Sequence, residues 1–188
     1  MHSKRIGKYA CLEMERRYLL KTVPEDLPSG NAVWQITDRY FPDTRLRLRL
    51  MNAIDHDEKI YKLTQKYRAE NQGASQTTIT NIYLSESEYH CFEPLEARIL
   101  IKMRYPYKLK NHIISIDVFE GRHQGLILAE MEFESQAELD ELDLSIGFRD
   151  VTEDLFFTGG NLAAMTDEEF KKGLALRIPS YFIDPPAR

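Results

Sequence analysis

The chain has 188 residues, 43% of them hydrophobic and 29% charged, with a formal net charge of -5 at pH 7. That length suits one domain with a sizeable core, and the mild acidity excludes a global pull toward nucleic acid or an anionic membrane, so any anion site must be a local cluster of cations. Two cysteines, Cys11 and Cys91, are too few and too far apart for a disulfide framework or a cysteine metal site, which suits a reducing interior.

Residues 1–8 read as a loose tail. The opening "MHSKRIGKYACLE" lacks the apolar run of a signal peptide, and no apolar segment approaches the ~20 residues that span a bilayer, so the expected location is the cytoplasm. Eight stretches of period-2 alternation follow: "YACLEMERRYLLK", "AVWQITDRYF", "TRLRLRLMN", "KIYKLTQKYR", "TTITNIYL", "RILIKMRYPYKL", "HIISIDVF" and "LILAEMEFE". Most are bounded by Gly, Pro, Asn or Asp, and the short spacers favour antiparallel hairpins over crossovers of a dozen residues. "PEDLPSG" reads as a turn, "ENQGASQ" as a hairpin loop and "FTGGNLA" as a Gly-broken stretch near the end. "SESE", "SQAE" and "TDEE" have capping-box spacing and predict short helices. The tail "YFIDPPAR" closes the chain on prolines.

The charges follow the alternation. In "EMERRYLL", Glu13, Glu15 and Arg17 share one face of a strand while Met14, Tyr18 and Leu20 share the other, with Arg16 an exception. Arg45, Arg47 and Arg49 alternate with leucines, Lys62, Thr64 and Lys66 share a face, as do Lys102 and Arg104, and Glu130, Glu132 and Glu134 alternate with Met131 and Phe133. For any single stretch the ordinary explanation is a solvated face. Segregation by sign over several strands is unusual, because cross-strand pairs favour opposite charges, and it predicts a polar interior with acidic and basic walls. Carboxylates there suit Mg2+ or Mn2+, and the cations suit phosphate.

These stretches resemble the CYTH proteins, or triphosphate tunnel metalloenzymes, a family that includes class IV adenylate cyclases, thiamine triphosphatases and inorganic triphosphatases. "EMERR" is similar to the family's Glu-x-Glu-x-Lys signature, "RLRLR" and "KLTQK" to its basic strands, "IDVFEGRHQGLILAEMEFES" to its late acidic strand pair, and "FTGGNLA" to its closing segment. The likeness runs in the family's order from about Cys11 to Ala164. It implies a mainly β (α+β) fold, an eight-stranded antiparallel β-barrel forming a tunnel, with short peripheral helices. A single domain would cover 1–188, with a tail at 1–8, the barrel and its helices at 9–165, and a C-terminal helix and tail at 166–188.

Carried over by position, the resemblance implies Glu13, Glu15, Glu130 and Glu132 as ligands of Mg2+ or Mn2+, with Asp117 near them. It implies Arg45, Arg47, Lys66, Lys102 and Arg104 as phosphate-binding groups, and Glu13, Glu15 and Arg17 at the reaction centre. Gln35 and Tyr40 fall near a family Gln and Tyr. The signature lysine is Arg17 here, and because arginine stays protonated, a phosphate clamp is open to it and a proton-accepting role is closed.

The expected function is metal-dependent hydrolysis of an inorganic or organic triphosphate by water. The alternatives are a class IV-type adenylate cyclase and a non-catalytic triphosphate- or polyphosphate-binding protein. The expected partner is a small triphosphate-containing molecule, with no nucleic acid and no membrane. The outward leucine and isoleucine faces call for helices or a second subunit, and a homodimer is the expectation. The five histidines show no metal-ligand spacing, and no Walker-type or nucleophile-elbow motif is present.

Overall fold

The computed structural model describes residues 9–28, 32–68, 73, 75–109, 112–141 and 148–178. All eight alternating stretches are strands: β1 Cys11–Leu20, β2 Trp34–Tyr40, β3 Leu46–Ala53, β4 Lys59–Tyr67, β5 Gln76–Leu84, β6 Arg98–Leu109, β7 His112–Phe119 and β8 Ile127–Phe133. They pair antiparallel in the order β5-β4-β3-β2-β6-β7-β8-β1, and a β5–β1 pairing closes the sheet into an eight-stranded barrel. Closure removes the sheet edges. A short strand that the alternation did not reveal, β9 Phe148–Asp150, adds to the far end of β1.

Residues directly opposite each other on antiparallel strands share a face, so the register identifies the lumen. Glu13 faces Thr77, Glu15 faces Glu132 and Arg17 faces Glu130. Asp38 lies between Arg49 and Leu100, Arg47 faces Thr64, and Arg104 faces Asp117. The predicted charged positions that fall within strands share the lumen side, while Arg45 precedes β3 and Glu134 follows β8, both exposed. The outward faces carry apolar residues that the helices cover in part, leaving Leu12, Ile82 and Ile99 exposed. Helix α1, Glu86–Phe92, packs Tyr89 with Leu48 and Phe41. Helix α2, Gln136–Glu141, covers β1 and β8, where Leu139 joins Tyr18, Ile116, Met131 and Phe133.

The capping boxes form at Ser85 and at Thr166, where α4, Asp167–Arg177, begins. At the third, Ser135 Oγ accepts from the Glu138 N–H, but the Glu138 carboxylate accepts from Glu134 N–H instead of closing the box. "FTGGNLA" differs from expectation. It continues a 3-10 turn at Leu155–Phe157 into a helix, α3 Gly159–Ala164, because this segment packs on the barrel and tertiary burial overrides glycine's weak helix propensity. Of "ENQGASQ", residues 70–72 and 74 lie outside the described residues, as do the tails at 1–8 and 179–188. Among the described residues no helix is long and apolar enough to cross a membrane.

The lumen is not charged throughout. Towards one end its lining turns apolar, with Leu19, Leu100, Phe119 and Leu128 packed against Phe156, Phe157, Leu162, Ala163 and Phe170 from the C-terminal segment. That segment stoppers this side of the barrel. It is fastened to the barrel by a hydrogen bond between His123 Nε2 and the Leu162 carbonyl at 2.8 Å, and braced within itself by Arg177 Nε donating to Asp154 Oδ2 at 2.6 Å and by the Arg177 guanidinium lying 4.3 Å from the centre of the Phe156 ring.

Gly159 lets α3 press on the barrel wall, since a Cβ there would run into the Tyr40 hydroxyl and lie 3.1 Å from its Cζ. Gly159→Ala is therefore expected to cost about 1–3 kcal/mol through overpacking. Thermal melting checks this, and an unchanged midpoint would mean that Tyr40 yields freely.

Candidate anion site in the barrel lumen

The polar part of the lumen is a cavity of about 570 Å³, open beside the β2–β3 turn, a size in the range of small-molecule sites. Its lining among the described residues holds eight cations (Arg17, Arg45, Arg47, Arg49, Lys66, Arg68, Arg98 and Lys102) against three carboxylates (Glu15, Asp43 and Glu130). In a chain of net charge -5 this is the local basic cluster that an anion site requires.

The cations differ in how far their charge is already spent. Arg49 is committed: its Nε and Nη2 donate to the two oxygens of Asp38 at 2.6 and 2.7 Å. Burial alone would raise the Asp38 carboxyl, but Arg49 and Arg47 hold it well below its ordinary value. At the base of the cavity Lys102 is hydrogen-bonded to Asp117 and lies 3.8 Å from Glu130. Arg104 donates from Nε and Nη2 to the two Asp117 oxygens, each at 2.7 Å, and is also paired with Glu130. Burial lowers the Lys102 pKa even against these carboxylates. Glu130 goes well below the carboxylate range, because Lys102 and Arg104 outweigh burial. Asp38, Asp117 and Arg104 lie outside the cavity lining, so these ion pairs make a charged floor.

Other groups are only partly engaged. Arg17 is 5% exposed and donates from Nη2 to the Thr152 carbonyl at 3.1 Å. Its Nη1 lies 3.5 Å from Glu15, and its buried Nε has no hydrogen-bond partner. Arg47 donates from Nη2 to Thr64 Oγ1 at 3.3 Å, and its Nε is likewise buried without a hydrogen bond, 3.5 Å from Asp38. Arg45 is exposed at the mouth, 5.0 Å from the centre of the Tyr67 ring. The Tyr40 phenol in the wall is pushed up to about 12 by burial and by Asp38.

On the acidic side, Lys66 is hydrogen-bonded to Glu13, and Glu132 is exposed opposite Glu15. Burial raises the Glu15 carboxyl, with Glu130 and Glu13 adding to it against Lys66 and Arg17. Of the residues implied by position, Glu15, Arg17, Arg45, Arg47, Lys66, Lys102 and Glu130 line one cavity. Glu13 and Glu132 share its acidic wall, and Arg104 and Asp117 belong to the floor. Gln35 does not reach the lumen and donates to Glu120 at 3.3 Å.

In chemistry the acidic wall suits a hard divalent cation, since Glu13, Glu15, Glu130 and Glu132 offer only oxygen donors from two adjacent strands. Among the described residues, however, no group of three or more His, Cys, Asp or Glu is arranged as a metal-ligand set. Asp117 fits least well, because both its oxygens are taken by Lys102 and Arg104.

Sequence reasoning missed Asp38, Thr64 and Thr152 as members of the site. Asp38 had a signal: it stands two residues from both Ile36 and Tyr40, on the face that pairs with Arg47 and Arg49. Thr152 had none.

No family model and no curated protein matches the chain. Among solved structures, the barrel is similar to the crystal structure of the inorganic triphosphatase NE1496, with 26% identity, a TM-score of 0.55, and coverage of 82% of this chain and 95% of that one. A second crystal structure, described as the hypothetical protein NE1496, matches with 26% identity and a TM-score of 0.54, over 81% of this chain and 98% of that one.

Proposed function

We propose that the protein belongs to the CYTH, or triphosphate tunnel, proteins and hydrolyses a triphosphate bound in this cavity. The observation that carries the reading is the gathering of eight cations against three carboxylates in the lining of one cavity, the buried Arg17 and the half-buried Arg47 among them. Such an excess of cations in one cavity calls for an anion with several acceptor oxygens to offset it. The likeness to the inorganic triphosphatase NE1496 supports the phosphoryl chemistry.

In this reading Arg17 and Arg47 grip phosphoryl oxygens through directional N–H donors, while Lys66 and Lys102 act as point charges. Glu13, Glu15, Glu130 and Glu132 would hold Mg2+ or Mn2+, and such an ion would supply Lewis-acid polarisation of the phosphoryl group and of water. Asp117 serves as the buried counterion that keeps Lys102 and Arg104 in place. The apolar stopper dries one side of the cavity, so each charge acts in a lower dielectric than water.

The test is a panel of tripolyphosphate, ATP and thiamine triphosphate with Mg2+ or Mn2+, read as released orthophosphate. The expected result is turnover that stops on chelation. Cyclic AMP and pyrophosphate from ATP would instead make the protein a cyclase, and turnover in excess chelator would remove the metal from the reading. Tripolyphosphate at ~100 times its dissociation constant should also add about 2.7 kcal/mol of stability, or roughly 5–11 °C for a chain of this size. No thermal shift and no turnover with any of the three would sink the triphosphate reading.

A further inference from the structure

We propose that Thr152 is a positioning residue for Arg17, fixing the guanidinium in the cavity wall so that it is held ready for an oxygen of the bound anion. The inference rests on the reading that Arg17 grips a phosphoryl oxygen. Thr152 follows β9 and stands 135 residues from Arg17 in the chain. Strand β9 ends at Asp150, so beyond it the backbone of β1 would lack a ladder partner on that side. The turn supplies one: the Arg17 amide donates to Thr152 Oγ1 at 3.0 Å, and the Val151 amide donates to the Arg17 carbonyl at 2.9 Å. The same residue then reaches the side chain, its carbonyl accepting from Arg17 Nη2 at 3.1 Å. Thr152 is itself pinned, its amide donating to Asp150 Oδ1 at 2.8 Å, and both Thr152 and Arg17 are 5% exposed.

One residue thus holds both the backbone and the guanidinium of Arg17. With Nη2 engaged by Thr152 and Nη1 near Glu15, the guanidinium is held on two sides, and its remaining Nη hydrogens are the donors left for a ligand. Arginine loses much rotamer freedom when it grips an anion. Immobilising it beforehand removes part of that cost from binding. A purely structural threonine, serving only to satisfy the edge of β1, would affect stability and leave the Arg17 side chain and anion affinity alone.

The experiment uses the full chain and tripolyphosphate as probe. Binding is measured by calorimetry for the parent, Thr152→Val, Thr152→Ser, Arg17→Ala and the Thr152→Val/Arg17→Ala double variant. The Arg17 Nε–H resonance, assigned by its loss in Arg17→Ala, is followed by ¹⁵N NMR without ligand. Thr152→Val should weaken binding about tenfold, Thr152→Ser should stay within about twofold, and the double variant should bind no worse than Arg17→Ala. The Nε–H signal should be slow to exchange in the parent and Thr152→Ser, and averaged with exposed arginines in Thr152→Val. If Thr152→Val does not fold, Asp150→Ala, which removes the acceptor that pins the Thr152 amide without touching Arg17, should move the same resonance.

The proposal is overturned if the two losses multiply in the double variant, or if the Nε–H signal is unchanged in the turn variant that folds. A parent that binds no tripolyphosphate would sink the triphosphate reading, and the resonance would still decide the positioning.

Discussion

Asp38→Asn is expected to lower the melting midpoint by roughly 6–20 °C. The substitution keeps the side chain's shape but removes the charge that neutralises Arg49, whose guanidinium it meets in two hydrogen bonds deep in the barrel. Breaking a buried pair from one side costs about 3–5 kcal/mol, and each kcal/mol moves the midpoint of a chain this long by roughly 2–4 °C. The pH dependence follows from the lowered pKa of Asp38. A carboxyl whose folded pKa is depressed contributes its full stability above its unfolded value, near 3.9, and loses it as pH falls through the folded value. The gap between parent and variant should therefore be constant above about pH 5 and narrow below about pH 4. Replacing both partners, as Asp38→Asn with Arg49→Met, should recover part of the loss. A single variant melting within about 2 °C of the parent would show that water or relaxation already shields Arg49.

The largest expected effect on turnover is at Arg47. Under the triphosphatase reading, Arg47→Ala should lower turnover of tripolyphosphate by about 100-fold or more, the range found when one preorganised donor is removed from a transition-state site. Arg47→Lys should recover only part, because a point charge cannot reproduce the directional donors of a guanidinium. Arg45→Ala should cost far less, since Arg45 is exposed at the mouth, where charge is screened by water and salt. Steady-state kinetics of the three variants check this. A loss at Arg45 larger than at Arg47 would move the reacting phosphoryl group from the buried part of the cavity to its rim.

The strands were legible because alternation has a period of two and a closed sheet with a polar lumen keeps that alternation in every strand. The inward direction of Glu13, Glu15, Arg17, Arg45, Arg47, Lys66 and Lys102 could be read with it. The floor could not. It depends on Lys102, Asp117 and Glu130 meeting across three strands and on Arg104 paired behind them, and register between strands distant in sequence is written in no local pattern. Asp38 was hidden for a related reason: one carboxylate in a strand between arginine-rich neighbours looks like surface until its partners are known. Strand β9 is three residues long, too short to show a period, and Thr152 sits in a turn whose importance comes wholly from a residue at the other end of the chain.

That distance has a consequence in time. Strand β1 pairs with β5, β8 and β9, and Arg17 completes its contacts only when residue 152 has been made. At about 5–20 residues per second of synthesis, a separation of 135 residues leaves the first strand waiting roughly 7–27 s, while β2, β3, β4 and β5 can already zip up as neighbouring hairpins. A waiting strand with one wholly apolar face and no charge on the other would invite pairing with another nascent chain. Glu13, Glu15 and Arg17, whatever they later bind, keep that strand hydrated until the barrel closes over them.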